Sequence, residues 1–293
     1  MRVARGRRFL GASIIGALLC TIPAVAVGSA QAMAVSPVSA KSTECRHEFT
    51  GADRTELITL SDPSTLRDLH DARDRATRIR ALFVKNHDYR GTFAVFYKAV
   101  LDGAVPSIDN GDYADRDYVT AVSLDFFKRY LENLHGHLTG GPVTPYWQNF
   151  YDKTAECNLS PGRVLLAALN AHVIIDLPQA VATAGSSQRN FDDFMKVGDS
   201  LQASTSVMFA DFKQVYGEDV SGFFGGLIFG DAIDLVVGPG GTQYTVLQSA
   251  RAYAFANGLE LQGFTKAGAF ARMHASWLLA EGFVTTSATA GAI

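Results

Sequence analysis

The sequence lacks the short motifs that identify the common hydrolases. No G-x-S-x-G and no H-E-x-x-H segment occurs in its 293 residues, which argues against an α/β-hydrolase nucleophile and a zincin-type metal helix. The glycine-rich stretch 222–230, with 238–241 beyond it, has no Gly-Lys-Ser/Thr ending and no preceding strand, so it is not a phosphate-binding loop. Glycines in this pattern serve close helix crossings or a mobile cover over a pocket.

Basic residues are also fewer than acidic ones. The chain has 26 Lys and Arg against 29 Asp and Glu, and four of the arginines lie in its first eight residues. Without those four, 22 basic residues face 29 acidic ones, a net charge of −7. Such a surface repels phosphate backbones, and no Lys/Arg cluster offsets the repulsion, so we do not expect nucleic acid as a partner.

Residues 1–32 have the pattern of a secretory signal peptide. The arginine-rich start is followed by an apolar run over 9–27 and by Ala30-Gln31-Ala32, an A-x-A cleavage site. Two glycines and Pro23 interrupt the apolar run, and no cationic stop follows it, which argues against a stable membrane span. We therefore predict a secreted protein, exported by either the general or the twin-arginine route.

Only three cysteines are present, and Cys20 falls within the signal peptide. The other two, Cys45 and Cys157, belong to a chain bound for an oxidising compartment, which favours a disulfide between them. That bond would remove roughly 4 to 5 kcal/mol of conformational freedom from the unfolded chain. Two buried free thiols are the alternative, because the sequence does not show how far apart the cysteines lie.

Helical signals fill the rest of the chain, and alternation of apolar and polar residues is nearly absent. Asp62-Pro63, Thr144-Pro145 and Ser160-Pro161 each place a capping side chain before a proline at the first helical position. In 115–138, apolar residues recur at spacings of three and four, which predicts an amphipathic helix. Similar stripes recur elsewhere, so we predict an all-α fold of about eight or nine helices.

The absence of a linker predicts a simple domain organisation. We expect a single-domain helical bundle over residues 45–284. Flexible segments are predicted at 33–44 and at 285–293, and the sequence makes no prediction of oligomeric state.

The segment 161–176 is apolar on every side, which predicts a helix in the middle of the protein. Its last part carries three polar residues, Asn170, His172 and Asp176, and burying each costs a few kcal/mol without a partner. His172 and Asp176 are four residues apart and share a helix face, whereas Asn170 points away from them. Pro178 cannot donate a helical hydrogen bond, so we expect the helix to kink or end there.

A histidine and a carboxylate that meet in a protein core have three interpretations. They form half of a metal site, a proton-handling pair or an inert hydrogen-bonded couple. Two ionisable groups and an amide in one buried helix exceed what packing requires, which favours a function. Arg251 lies in a helix short of charge and needs either an acid, with Asp176 as one candidate, or an anionic ligand.

Several stretches of the sequence resemble an actinobacterial family of helical proteins of unknown function. They are Arg90-Gly91-Thr-Phe, Leu124-Asp125, Gly141-Pro142-Val143-Thr-Pro-Tyr-Trp147 and Asn170-Ala-His172-Val-Ile-Ile-Asp176-Leu. The resemblance covers most of the chain after the signal peptide and implies no activity.

The segment His172-Val-Ile-Ile-Asp176-Leu-Pro-Gln179 is also similar to the H-x-x-x-D-x-x-Q-P helix of the zinc-dependent phospholipase C and single-strand nuclease superfamily. The resemblance implies that His172 and Asp176 bind a divalent metal such as zinc. The sequence departs from that pattern, since Ala180 stands where a proline is expected, no histidine follows, and no N-terminal tryptophan is available. We select His137 as a further ligand.

These observations lead to two functional hypotheses. The leading one is a secreted metal-dependent hydrolase, with a phosphoester as the suggested substrate, in which the metal activates water and Arg251 stabilises negative charge. The alternative is a non-catalytic extracellular protein whose apolar pocket binds a small molecule or lipid, with His172 and Asp176 fixing the polar end of the ligand. A purely structural pair remains a third interpretation. Two further residues are predicted near the site: Asn170 and Asp125.

Overall fold

Nine helices follow one another in the part of the chain that the computed structural model describes, residues 45–222 and 241–289. They are α1 (Gly51–Ser61), α2 (Leu69–Lys85), α3 (Gly91–Asp109), α4 (Arg116–Thr139), α5 (Pro145–Lys153), α6 (Pro161–Thr183), α7 (Phe191–Tyr216), α8 (Gly241–Leu261) and α9 (Lys266–Thr289). No strand occurs among these residues, and they belong to one compact unit, so the predicted all-α fold is confirmed.

Some predictions fall outside the described residues. They concern the signal peptide, the segment 33–44, most of the glycine-rich stretch and the end of the tail. The last helix ends at Thr289, so it includes the first part of the segment that we predicted to be a flexible tail.

Helices begin at two of the three predicted prolines, Pro145 and Pro161, whereas Pro63 begins only a short 3-10 turn and α2 starts at Leu69. Asp62 accepts a hydrogen bond from the backbone N–H of Ser64 at 2.9 Å, in a short 3-10 turn that precedes α2. The hydroxyl of Ser160 caps α6 in the same way. Thr144 precedes α5 without such a bond, because its hydroxyl donates to Asn133 Oδ1 instead.

Helix α6 lies in the middle of the fold and contacts α3, α4, α5, α8 and α9. Its first half is apolar on all sides, and residues such as Val164, Leu165 and Ala167 are fully buried. By length and composition α6 could cross a membrane, but 72% of its apolar window is buried inside the protein. Neighbouring helices cover its apolar surface, which is the expected arrangement for a core helix.

The hydrogen-bond pattern of α6 changes in its centre. Residues Asn170–Asp176 form a π-helical segment, in which the N–H of Leu177 donates to the carbonyl of His172, five residues back. An α-helix resumes at Leu177 and continues through Pro178 to Thr183. The helix therefore does not end at the proline; the irregularity lies in the wide turn before it. Such π-helical segments are frequent at functional sites.

Two glycines on neighbouring helices bring the backbones close together. A Cβ on Gly258 of α8 would lie 2.3 Å from Val181 Cγ1 and 2.8 Å from the carbonyl oxygen of Pro178, so α8 can pack against α6 only with glycine there. A Cβ on Gly198 of α7 would lie 2.9 Å from Arg251 Cδ. These contacts place α8 against α6 and Arg251 of α8 against α7.

Candidate functional site

The π-helical segment brings His172 and Asp176 together. His172 Nδ1 lies 2.9 Å from Asp176 Oδ2, and each residue is only 2% exposed. The same carboxylate oxygen accepts a hydrogen bond from Trp147 Nε1 of α5 at 2.8 Å. An indole N–H only donates, so the shared oxygen is an acceptor and His172 Nδ1 carries a proton.

Aromatic rings surround the imidazole of His172. The ring of Phe126 is stacked on it with centroids 3.6 Å apart, and Phe93 and Tyr97 each approach edge-on at 5.0 Å. Burial lowers the pKa of His172, while Asp176 acts in the opposite direction. In the neutral ring Nε2 is an acceptor, and it has no hydrogen-bond partner among the described residues. The imidazole of the pair is therefore a neutral ring whose Nε2 is a proton acceptor enclosed by aromatic side chains.

The residues selected as metal ligands do not converge. No group of three His, Cys, Asp or Glu side chains in residues 45–222 and 241–289 is placed to hold a metal ion. His137 is instead stacked on Tyr151 at 3.9 Å and accepts a hydrogen bond from Arg46 Nη2 at 3.2 Å. A metal centre needs at least three protein ligands, and His172, Asp176 and His137 do not form such a set.

The other residues predicted near the site have structural partners. Asn170 points away from His172, as its spacing predicts, and its Nδ2 donates to Glu281 Oε1 of α9 at 2.8 Å. Asp125 of α4 forms an ion pair with Arg129 at 2.7 Å. Neither residue lines the pocket described below.

Arg251 is buried on α8 without an acid. It is 4% exposed, its Nη2 donates to the carbonyl of Phe194, and its guanidinium lies 4.2 Å above the ring of Phe194. Nε has no hydrogen-bond partner, and no ion pair joins Arg251 to a carboxylate in the described part of the chain, so Asp176 is not its acid. Burial lowers the pKa of Arg251 to about 10, against the opposite effects of two tyrosines and of Asp199.

A pocket opens beside Arg251, between α4, α6, α7 and α8. Its volume is about 290 Å³ including the open mouth. Most of its walls are apolar, and its lining residues are Tyr118, Val119, Val122, Ser123, Phe126, Leu177, Phe194, Val197 and Arg251. Phe126 also stacks on His172, so one ring separates the imidazole from the pocket. The sequence marked Val119, Val122 and Phe126 as one apolar stripe, but nothing in that stripe indicated which part borders a pocket.

Comparison with known proteins identifies the family of this chain. The model of a family described as "Family of unknown function (DUF5995)" matches residues 69–278, which include the His172–Asp176 pair and Arg251. The chain belongs to the DUF5995 family. The predicted resemblance to a helical family of unknown function is confirmed in this form, and the description of DUF5995 assigns no activity. No curated protein and no solved structure matches the chain.

Two histidines, the buried His172 and the partly buried His137, make the stability of this DUF5995 protein depend on pH. Burial lowers the pKa of His172, and it lowers that of His137 to about 4. Above pH 6.5 both rings are neutral in the folded and unfolded states, so stability is unaffected. Below pH 6.5 only the unfolded chain binds the protons, and the free energy of unfolding falls by up to about 1.4 kcal/mol per pH unit for His172.

Urea denaturation at pH 7 and pH 5 measures this dependence. His172→Gln should reduce the loss of stability between the two pH values, because glutamine does not titrate. Equal loss in the wild type and in this variant would contradict the burial of a neutral imidazole.

Proposed function

We propose that this DUF5995 protein is a secreted, non-catalytic protein that binds a small molecule in the pocket beside Arg251. The observation that carries the proposal is a largely apolar pocket with a buried guanidinium whose Nε has no hydrogen-bond partner in residues 45–222 and 241–289. Ligand sites are typically concave and apolar, with a few polar groups that orient the ligand. The signal-peptide pattern and the disulfide between Cys45 and Cys157 support export, because disulfides persist in oxidising compartments.

We infer that Arg251, and not the His172–Asp176 pair, makes the polar contact with the ligand. Asp176 already accepts hydrogen bonds from His172 and Trp147, so its contacting oxygen is occupied. Phe126 stands between the imidazole and the pocket. In this proposal the buried pair stabilises α6, and Arg251 contacts the ligand.

The pocket favours a ligand smaller than a typical drug or a full-length lipid. Without the open mouth, the cavity has a volume of about 30 Å³, whereas sites for drug-sized ligands span roughly 300–1,000 Å³. Single-ring compounds are therefore suitable probes. Toluene, benzamide and benzoate share one ring and differ in the polar group that they carry.

Binding of these probes is measured by saturation-transfer NMR and calorimetry on the secreted protein. We expect at least one of them to bind to the wild type, and Ser123→Trp, which fills the pocket wall on α4, to abolish the binding. Lys128→Trp on the same helix is the control, because Lys128 is not among the pocket residues. The proposal is overturned if no probe binds at millimolar concentration, or if Ser123→Trp binds as well as the control.

Metal-dependent hydrolysis remains a prediction of the sequence and has its own test. Elemental analysis of the secreted protein would find a stoichiometric divalent metal that His172→Ala removes. That result would favour the hydrolase over the binding protein, because a site of this kind needs the metal bound through His172.

A further inference from the structure

The polar groups that the described residues place around the pocket belong to side chains that can donate hydrogen bonds. They are those of Tyr118, Ser123 and Arg251, and none of the described lining residues carries a carboxylate. The hydroxyls of Tyr118 and Ser186 lie 3.0 Å apart, and Ser186 Oγ is also 2.6 Å from the carbonyl oxygen of Val181, so the single serine proton serves only one of these two acceptors. A ligand that enters this pocket therefore meets one positive charge and no carboxylate from the described residues.

Arg251 is held in place, but no residue in the described part of the chain forms an ion pair with it. The cation–π contact with Phe194 and the bond to its carbonyl fix one side of the guanidinium. The partnerless Nε is left on a residue that lines the pocket. Among the described residues, Asp199 is the carboxylate whose charge acts on the pKa of Arg251, and it is exposed, with Tyr244 and Gln248 as its hydrogen-bond donors.

An unpaired buried charge costs stability. The free energy of removing a cation from water is recovered only through a close opposite charge or several strong hydrogen bonds. In the described structure Arg251 has one bond to a carbonyl and an aromatic ring. An anionic ligand in the pocket would supply the missing opposite charge.

We propose that the ligand is a small monoanion, a carboxylate on a compact apolar body, and that its carboxylate binds Arg251. This inference rests on the proposed binding function and makes it specific. One guanidinium balances one negative charge, and guanidinium and carboxylate groups match in geometry. The apolar walls, which include Phe126 and Phe194, require an apolar body on the other end of the ligand.

Three probes of nearly the same shape test whether the ligand must carry a negative charge. Benzoate is anionic, benzamide is neutral and benzamidine is cationic. We expect benzoate to bind the wild type at least about tenfold more tightly than benzamide, because charge-assisted hydrogen bonds are stronger than neutral ones. Benzamidine should not bind detectably.

Arg251→Met then removes the charge while keeping an unbranched side chain. Benzoate affinity should fall to that of benzamide, whereas benzamide affinity should stay within about threefold, since benzamide does not depend on a charge-assisted bond. The thermal midpoint should stay the same or rise, because the variant no longer buries an unpaired charge. Arg78→Met is the matched control, since Arg78 is half exposed on α2 and pairs with Glu56.

Gly198→Ala gives a second test that keeps the arginine. The new Cβ would lie 2.9 Å from Arg251 Cδ and 2.5 Å from Gln248 Oε1, so the Arg251 side chain must move. Benzoate binding should weaken without loss of charge.

The outcomes separate the two proposals. Equal binding of benzoate and benzamide, or benzoate binding that Arg251→Met leaves unchanged, contradicts the proposed anionic ligand but not the proposed binding pocket. Failure of every probe overturns both. Benzoate selectivity that is lost in Arg251→Met supports both.

Discussion

Replacing Asp176 with alanine is expected to destabilise the protein by about 3 to 5 kcal/mol, the usual cost of removing one member of a buried polar pair. One carboxylate oxygen accepts hydrogen bonds from Trp147 Nε1 and from His172 Nδ1. The variant leaves both donors buried without a partner, at roughly 1 to 3 kcal/mol each. Urea denaturation followed by circular dichroism and tryptophan fluorescence gives the free energy of unfolding.

Two controls show whether the loss comes from these hydrogen bonds. Asp176→Asn keeps an acceptor oxygen at the same place, so it should lose less than half as much stability as alanine. Asp125→Ala removes a partly exposed carboxylate from its ion pair with Arg129, and such pairs contribute about 1 kcal/mol or less. A loss of under about 1 kcal/mol for Asp176→Ala would mean that the pair does not stabilise α6, and the structural role proposed for it would be wrong.

The sequence predicts the pair but not its partner. Spacing along the helix places His172 and Asp176 on one face, and the apolar residues around them predict burial; both are observed. Trp147 lies 29 residues earlier on another helix. Its bond to Asp176 depends on how α5 packs against α6, which no local pattern specifies. The π-helical turn could not be predicted from the sequence either, because the proline alone favours an end or a kink of the helix.

The pocket, too, could not be predicted from local sequence patterns. The charge-poor helix around Arg251 indicates that the guanidinium needs a counter-charge, and Asp176 is a reasonable candidate when only composition is known. The structure gives Asp176 two other donors and leaves Arg251 without an ion pair among the described residues. A cavity is a gap between side chains of four helices, so its place depends on side-chain volumes at contacts that the sequence does not reveal.

Loss of the disulfide is the second large effect that we expect. Cys45 and Cys157 are bonded, as predicted, and their separation of 112 residues closes a loop that includes α1 to α5. Replacing both cysteines with alanine should lower the free energy of unfolding by about 2 to 5 kcal/mol, mainly because the unfolded chain regains conformational freedom. Dithiothreitol should destabilise the wild type by a similar amount and leave the double variant unchanged.

Hydrogen bonds also hold the segment that carries Cys45 against the rest of the protein, and they allow a second test of how the disulfide stabilises it. The backbone N–H of His47 donates to Asp88 Oδ2 at 2.7 Å, and Arg90 donates both to Asp88 and to the carbonyl of His47. If the disulfide acts on the unfolded chain, this attachment stays intact in the reduced protein, and amide exchange at His47 remains slow. If the bond instead holds the segment in place, reduction frees residues 45–50 at a cost below about 2 kcal/mol, and exchange at His47 becomes fast. The second result would contradict the entropic account, because a chain-entropy effect leaves the folded state unchanged.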